Sequence, residues 1–186
     1  MRQAAIILIM LILGSCGKKS PLGQKFAMLD KTEVRLDTVL VNHFSTVLFF
    51  LSPECPLCQN YSVTIDRIQE DFEEKDVAFY GVVSGLYYSD SEIEGFLIKY
   101  NLNLPVILDP EFSLANHYEA TTTPEVLVIN RNSEALYQGA IDNWAISLGK
   151  KRLKITERHL ENALSAHLDG EEINPKKTKA VGCFIE

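Results

Sequence analysis

The chain has little of several features that would define its class at once. Its 186 residues include four cysteines, and no Cys/His set has the doubled spacing of a structural zinc site, which excludes disulfide-stapled miniproteins and zinc modules. The chain also lacks an excess of positive charge, since its net charge is -7, and we expect no nucleic-acid partner. The remaining composition, 46% hydrophobic and 23% charged, predicts one ordinary globular domain.

A hydrophobic run long enough to cross a membrane is missing from the N-terminus. Residues 4–13 are apolar without interruption, but a membrane-spanning helix needs about 20 such residues. With Arg2 before it, the run has the pattern of a secretory signal peptide. The run ends in Leu13-Gly14-Ser15-Cys16, which resembles the bacterial lipobox and implies lipid attachment to Cys16. An ordinary secretory signal cleaved nearby is the alternative.

These features predict four segments. They are a lipoprotein signal peptide at residues 1–15, a tether at 16–24, a folded domain at 25–170 and a C-terminal tail at 171–186. We expect the domain to lie in the cell envelope, lipid-anchored to a membrane and facing the periplasm or another extracytoplasmic space. Disulfides persist in such compartments, so the three remaining cysteines are available for redox chemistry.

Strand and helix patterns alternate along the domain. Strands are predicted at 46–51, 77–83, 106–108, 125–129 and 135–139, and the segments 26–29 and 34–40 have the pattern of a hairpin or of a strand and a turn. Helices are predicted at 58–74, from a capping box at 89–92 through residue 100, at 109–118 and at 156–168. Residues 171–186 have no helical or strand period.

A dithiol, Cys55-Pro56-Leu57-Cys58, lies between the strand at 46–51 and the helix that follows. Unpaired amides and the macrodipole at the start of a helix favour a thiolate, so Cys55 is predicted to be the attacking sulfur. Cys58, inside the first turn, can attack a mixed disulfide on Cys55 and release the reduced partner. Pro56 suits a first turn, where its missing N–H has little cost.

The sequence resembles the thioredoxin superfamily in two features. A predicted strand is followed by Ser-Pro-Glu-Cys-Pro-Leu-Cys and a helix, and Thr123-Pro124 comes later, before a predicted hairpin. Within this superfamily, the chain is similar to TlpA/ResA-like and redoxin-domain (AhpC/TSA-like) lipoproteins over residues 25–168. The resemblance implies an α/β fold, a three-layer α/β/α sandwich with a central mixed β-sheet. It implies a cis-proline loop at Thr123 and Pro124 that binds the substrate backbone as an added strand. Thr-Pro is, by itself, a plausible cis bond, and trans-proline is the alternative.

The function that follows is that of a membrane-anchored thiol–disulfide oxidoreductase in cell redox homeostasis, with a redox-active CxxC disulfide. Its expected partners are cysteine-containing exported proteins and a membrane redox partner, and we expect neither a metal nor an organic cofactor. The sequence leaves open the direction of electron flow, because Pro-Leu between the cysteines does not fix a reduction potential.

Three positions depart from the thioredoxin pattern. Phe49 stands where thioredoxins carry a buried acid, so the usual internal proton acceptor is absent, and Glu125 is a weak candidate to replace it. Glu54 stands where an aromatic residue is usual, and its charge is expected to oppose thiolate formation at Cys55.

The tail carries a further cysteine in the sequence Gly182-Cys183-Phe184-Ile185, which resembles the C-terminus of some redoxin-domain proteins. One hypothesis is that the tail packs back on the domain and brings Cys183 near the dithiol as an accessory redox residue or ligand. The alternative is a spare thiol.

Two other functions compete with disulfide exchange. A thiol peroxidase would need a threonine three residues before its reactive cysteine, where this chain has Ser52 followed by Pro53. A Sco-like copper-binding or copper-delivery protein would use two thiolates and a distant histidine. The cysteines of Sco-like proteins are spaced CxxxC, however. His43, His159 and His167 fall elsewhere, and His117 is the one histidine of the sequence that could approach the dithiol, although a lone histidine in such a helix is usually a polar surface residue. A redox-dead binding module is disfavoured because both cysteines are present.

Overall fold

The structure, a computed structural model, describes residues 20–186. The predicted signal peptide, Cys16 and most of the tether lie outside the described residues. The strands are β1 (Phe26–Ala27), β2 (Glu33–Val34), β3 (Ser45–Phe50), β4 (Val77–Ser84), β5 (Val106–Asp109), β6 (Thr122–Thr123), β7 (Glu125–Asn130), β8 (Ala135–Gly139), β9 (Ala145–Ser147), β10 (Lys150–Lys151) and β11 (Cys183–Phe184). The α-helices are α1 (Leu36–Asn42), α2 (Pro56–Phe72), α3 (Asp90–Lys99), α4 (Ser113–His117) and α5 (His159–Leu168).

Five strands form the central sheet in the order β5-β4-β3-β7-β8. The strand pairs β3–β4 and β4–β5 are parallel, whereas β7 runs antiparallel to both β3 and β8. Every residue of β3 is buried, which explains why its sequence is a continuous apolar run and does not alternate. The predicted mixed sheet is confirmed.

Helices cover both faces of this sheet. Val47 and Phe49 of β3 pack in one cluster with α2 and α5, and Leu48 and Phe50 pack in another with α1 and α4. Successive side chains of a strand point to opposite faces, so β3 contributes to both halves of the core. The three-layer α/β/α arrangement is therefore confirmed. Within residues 20–186, no helix combines the length and the apolar character that a bilayer span requires.

The prediction of extended structure over residues 34–40 is wrong beyond β2. Helix α1 begins at Leu36 and buries Leu36, Val39 and Leu40. These three residues have the i, i+3, i+4 spacing of a helix face, but the helix is only seven residues long and the pattern gives too few repeats to exclude a strand.

Two helices begin later than predicted, several residues after the side chains expected to cap them. Helix α4 begins at Ser113, while the buried Asp109 ends β5 and its carboxylate accepts hydrogen bonds from the amides of Leu114 and Ala115. Helix α5 begins at His159, and the Thr156 hydroxyl accepts a hydrogen bond from the Asn143 side chain at 2.7 Å. The predicted capping box at 89–92, by contrast, is confirmed at the start of α3.

Candidate active site

Cys55 is the N-cap residue of α2. Its backbone is extended, with φ -70° and ψ 115°, and Pro56 follows as the first helical residue, so the helix begins two residues before the predicted start at residue 58. The amides of a first helical turn lack intrahelical acceptors and form the positive end of the macrodipole. The end of β3 and the start of α2 thus place Cys55 where an anion is favoured.

The sulfur of Cys55 is surrounded by hydrogen-bond donors. The thiol and amide of Cys58, together with the thiol and amide of Cys183, outweigh burial and lower the pKa of Cys55 to about 4. In the thiol form, Cys55 donates to the carbonyl oxygen of Thr123, with 3.1 Å between Sγ and O. At neutral pH the anion is favoured, although the residue is only 1% exposed.

Cys58 has the opposite electrostatic character. It is completely buried in the first turn of α2, and burial followed by the neighbouring Cys55 sulfur raises its pKa well above the ordinary range. The amide of Ser52 donates to its sulfur at 3.5 Å. The dithiol therefore consists of one anionic sulfur and one protonated sulfur.

Two departures from the thioredoxin pattern shape the surroundings of the dithiol. Phe49 is fully buried, and its ring stacks on Phe79 with 6.4 Å between centroids, so this part of the core is apolar. Glu54 is exposed and lines the cavity beside Cys55. The expectation that Glu54 opposes thiolate formation is outweighed by the hydrogen bonds to the Cys55 sulfur, whose pKa is lowered to about 4.

The Thr123-Pro124 bond is cis, as the sequence predicts. Thr123 is buried and presents its carbonyl oxygen to Cys55, so the structure brings this residue to the dithiol. Pro124 lines an adjacent groove.

Glu125 holds this loop in place. One oxygen of its buried carboxylate accepts hydrogen bonds from the amides of Thr121 and Thr122, at 3.1 and 3.3 Å, and the other accepts from Gln138 at 2.7 Å. Both oxygens are thus engaged by the loop and by β8. The geometry assigns Glu125 a positioning role for the loop, in place of the proton-acceptor role that the sequence suggested weakly.

The C-terminal tail packs onto the domain and contains a two-residue strand, which is too short to show a period in the sequence. Strand β11 pairs antiparallel with β6, with Cys183 opposite Thr123 and Phe184 opposite Thr122. Burial, and then the Cys55 sulfur, raise the pKa of Cys183 to about 12. The structure therefore places Cys183 against Cys55, as the sequence hypothesis expected.

A cavity of about 320 Å³ opens beside the dithiol. Its lining combines the end of β3, Cys55, the loop after β4 and the tail, and includes Tyr87, Tyr88, Thr123, Cys183 and Ile185. Sequence reasoning missed the two tyrosines, whose only signal was an aromatic pair in a loop that follows a buried strand. The Tyr88 hydroxyl lies 2.9 Å from the Ser52 hydroxyl.

The histidines lie away from this cavity. His117 of α4 is exposed and meets Tyr118 edge to face with ring centroids 4.7 Å apart, so it is a surface residue and does not line the cavity of the dithiol. His167 is partly buried against Phe44, with 4.6 Å between ring centroids. Over residues 20–186, no group of three or more His, Cys, Asp or Glu side chains has the arrangement of a metal site.

Comparison with protein families identifies the relationship. The model of the AhpC/TSA family matches residues 21–137, which is more than half of the chain and includes the dithiol and the cis-proline loop. The chain belongs to the AhpC/TSA family. Membership in this redoxin family indicates thiol–disulfide oxidoreductase or peroxidase-type activity. No curated protein matches the chain.

Solved structures confirm the thioredoxin-like fold of this AhpC/TSA-family protein. An uncharacterized conserved protein from Geobacillus kaustophilus is 26% identical, with a TM-score of 0.74, and the match covers 90% of this chain and 93% of that one. A secreted Mycobacterium tuberculosis disulfide oxidoreductase homologous to Escherichia coli DsbE is 16% identical, with a TM-score of 0.56 and coverage of 82% and 99%. The exposed lipoprotein thioredoxin Etrx1 of Streptococcus pneumoniae is 20% identical, with a TM-score of 0.53 and coverage of 62% and 86%.

Proposed function

We propose that this protein is a membrane-anchored thiol–disulfide oxidoreductase that exchanges disulfides with exported proteins through Cys55 and Cys58. The observation that carries the proposal is the asymmetry of the dithiol. Hydrogen bonds from Cys58 and Cys183 lower the pKa of Cys55 to about 4, whereas burial raises the pKa of Cys58. A thiolate attacks disulfides and a thiol does not, so this asymmetry assigns the first attack to Cys55.

The exchange proceeds in two balanced steps. The Cys55 thiolate attacks one sulfur of a substrate disulfide, a mixed disulfide forms, and the other substrate sulfur leaves and takes up a proton. Cys58 then loses its proton and attacks the Cys55 sulfur, which releases the second substrate thiol and leaves a Cys55–Cys58 disulfide. The substrate is reduced and the dithiol oxidised, and the same steps in reverse transfer a disulfide to a substrate. A membrane redox partner resets the dithiol after each cycle.

Thr123 and Pro124 are proposed to receive the substrate backbone. Thr123 supports this assignment because its carbonyl oxygen lies 3.1 Å from the Cys55 sulfur and because β6 pairs with an added strand, β11. A substrate strand in the same position would bring its own cysteine to Cys55.

Disulfide reduction and peroxide consumption distinguish exchange from the peroxidase activity that the family also includes. With a dithiol donor, we expect the full chain to reduce insulin disulfides. We expect it to consume hydrogen peroxide only as slowly as the Cys55→Ser variant does. The reason is that the Ser52 hydroxyl, at the position where a peroxidase has threonine, is 2.9 Å from the Tyr88 hydroxyl. Rapid Cys55-dependent peroxide consumption without insulin reduction would reject disulfide exchange in favour of a thiol peroxidase.

Membrane attachment is proposed to depend on Cys16. Residues 4–13 are too few to anchor the protein by themselves, so lipid on Cys16 has to hold it at the membrane. In a bacterial host given a labelled fatty acid, we expect the full chain to be labelled and to sediment with membranes. We expect Cys16→Ser to lose the label and Cys183→Ser to keep it. Unlabelled wild-type protein in the soluble fraction would indicate an ordinary secretory signal.

A further inference from the structure

The C-terminal tail follows a fixed path back to the dithiol. The Thr178 amide donates to the Gln138 carbonyl at 3.0 Å, and the Ala140 amide donates to the Thr178 hydroxyl at 2.9 Å. Further along, the Ile185 amide donates to the Thr121 carbonyl at 3.0 Å. The tail is thus attached to the domain on both sides of Cys183.

Strand β11 occupies the edge of the cis-proline loop. Its register sets Cys183 opposite Thr123, the residue whose carbonyl oxygen contacts the Cys55 sulfur. Cys183 and Cys55 line the same cavity, and hydrogen bonding from Cys183 contributes to the lowered pKa of Cys55. A cysteine on an added strand, directed at the attacking sulfur, is the arrangement that disulfide exchange with a protein substrate requires.

Gly182 allows this close approach. A Cβ atom at this position would lie 1.9 Å from the Thr123 carbonyl oxygen and 2.6 Å from its carbon. Those distances are far below van der Waals contact, and the obstructing atoms belong to the backbone of a buried loop. Glycine is therefore required for β11 to pair where it does.

We propose that Cys183 is a third redox-active cysteine, which exchanges with the Cys55–Cys58 disulfide and makes the tail an internal substrate. The proposal rests on the proposed function, because the Cys55–Cys58 disulfide is the product of the exchange reaction.

The step requires no further oxidant. The Cys183 thiol loses its proton and its sulfur attacks the Cys55 sulfur, the Cys55–Cys58 bond breaks, and the Cys58 sulfur leaves and takes up a proton. One disulfide is lost and one is formed, so the number of electrons in the protein is unchanged. In the reduced protein, the Cys55 thiolate contributes to the raised pKa of Cys183. Oxidation of Cys55 removes this thiolate, so Cys183 loses its proton and attacks more easily in the oxidised protein.

A Cys55–Cys183 bond would hold the tail on the loop covalently and exclude any other strand from β6. When Cys55 is bonded to Cys58 instead, β11 is held only by hydrogen bonds and packing, and an exported protein can displace it. The tail therefore determines which substrates reach Cys55, since the sulfur is almost completely buried while β11 is in place.

Peptide mapping tests the exchange directly. Trypsin leaves both dithiol cysteines on residues 36–67 and Cys183 on residues 180–186, so a bond between them links two peptides. In a glutathione redox buffer, we expect this linked pair from the full chain and a larger amount from Cys58→Ser, in which Cys183 is the only other cysteine left among residues 20–186. We expect its loss from Cys55→Ser and from Cys183→Ser.

Gly182→Ala and Gly95→Ala form a matched pair of controls. Gly95 lies in α3, where an added methyl group would have nothing within 4 Å of it, so its alanine variant should form the linked pair as the full chain does. Gly182→Ala keeps every thiol but displaces β11, and we expect it to lose the linked pair while it still forms the Cys55–Cys58 disulfide.

Two different failures can be separated. If Cys58→Ser gives only glutathione adducts of Cys55 while the wild-type chain forms the Cys55–Cys58 disulfide and reduces insulin, Cys183 is not a redox residue and the proposed function stands. If the wild-type chain neither forms that disulfide nor reduces insulin, the proposed function itself is wrong.

Discussion

Cys58→Ser is expected to stop exchange after its first half and to leave substrates covalently bound to Cys55. The Cys55 thiolate still attacks, but the serine hydroxyl cannot displace the mixed disulfide, so turnover with insulin should fall to background. Cys55→Ser removes the attacking sulfur, and we expect it to lose turnover by at least about 10³-fold without trapping anything, in line with the loss of a covalent nucleophile in other enzymes. Non-reducing electrophoresis of envelope extracts, followed by mass spectrometry, measures the trapped species.

The trapping experiment also tests the role of Cys183. If the tail exchanges with Cys55, Cys58→Ser alone should release part of its captured substrate by forming the Cys55–Cys183 bond. The double variant Cys58→Ser/Cys183→Ser should then trap more than Cys58→Ser does. If Cys55→Ser trapped substrates and Cys58→Ser did not, the roles of the two sulfurs would be reversed.

The sequence predicts the centre of the molecule well, because local pattern and tertiary environment agree there. The segment 46–51 is continuously apolar since β3 is covered on both faces, and the dithiol falls at the strand-to-helix junction that its chemistry needs. The cis-proline loop at Thr123 and Pro124 is predicted from the resemblance to the thioredoxin superfamily. These features depend on residues close together in the chain, so they can be recognised without coordinates.

The features that the sequence does not predict depend on long-range contacts. Strand β11 has two residues and no period of its own, and it exists because Gly182 can approach a loop some sixty positions earlier in the chain. Likewise, Glu125 appears in the sequence as an acid beside a proline, but its hydrogen bonds to Thr121, Thr122 and Gln138 are set by the tertiary fold. The hydrogen bonds of Glu125 leave no pattern in the sequence, and the only signal for the position of the tail is the short resemblance over residues 182–185.

The anionic state of Cys55 predicts an unusual pH dependence. Its pKa is lowered to about 4 by hydrogen bonds from Cys58 and Cys183, so the thiolate is fully formed at pH 7 and is lost as the pH falls through about 4. An ordinary cysteine, with a pKa of about 8.5, increases its thiolate fraction about 100-fold between pH 5 and pH 7. Cys55 should change by only about a tenth over the same interval, since it is already ionised at pH 5.

The decisive measurement is the ultraviolet absorbance of the thiolate in the reduced full chain, recorded as a function of pH with the Cys55→Ser spectrum subtracted. An equilibrium absorbance reports ionisation directly and does not depend on whether a reagent can reach a buried sulfur. Cys58 and Cys183 remain protonated in the acidic range, because burial raises the pKa of both. We expect a single transition with a midpoint near pH 4. A midpoint at about 8.5, the value of a free thiol, would contradict the account, since Cys55 would then have no advantage over any other cysteine as the attacking sulfur.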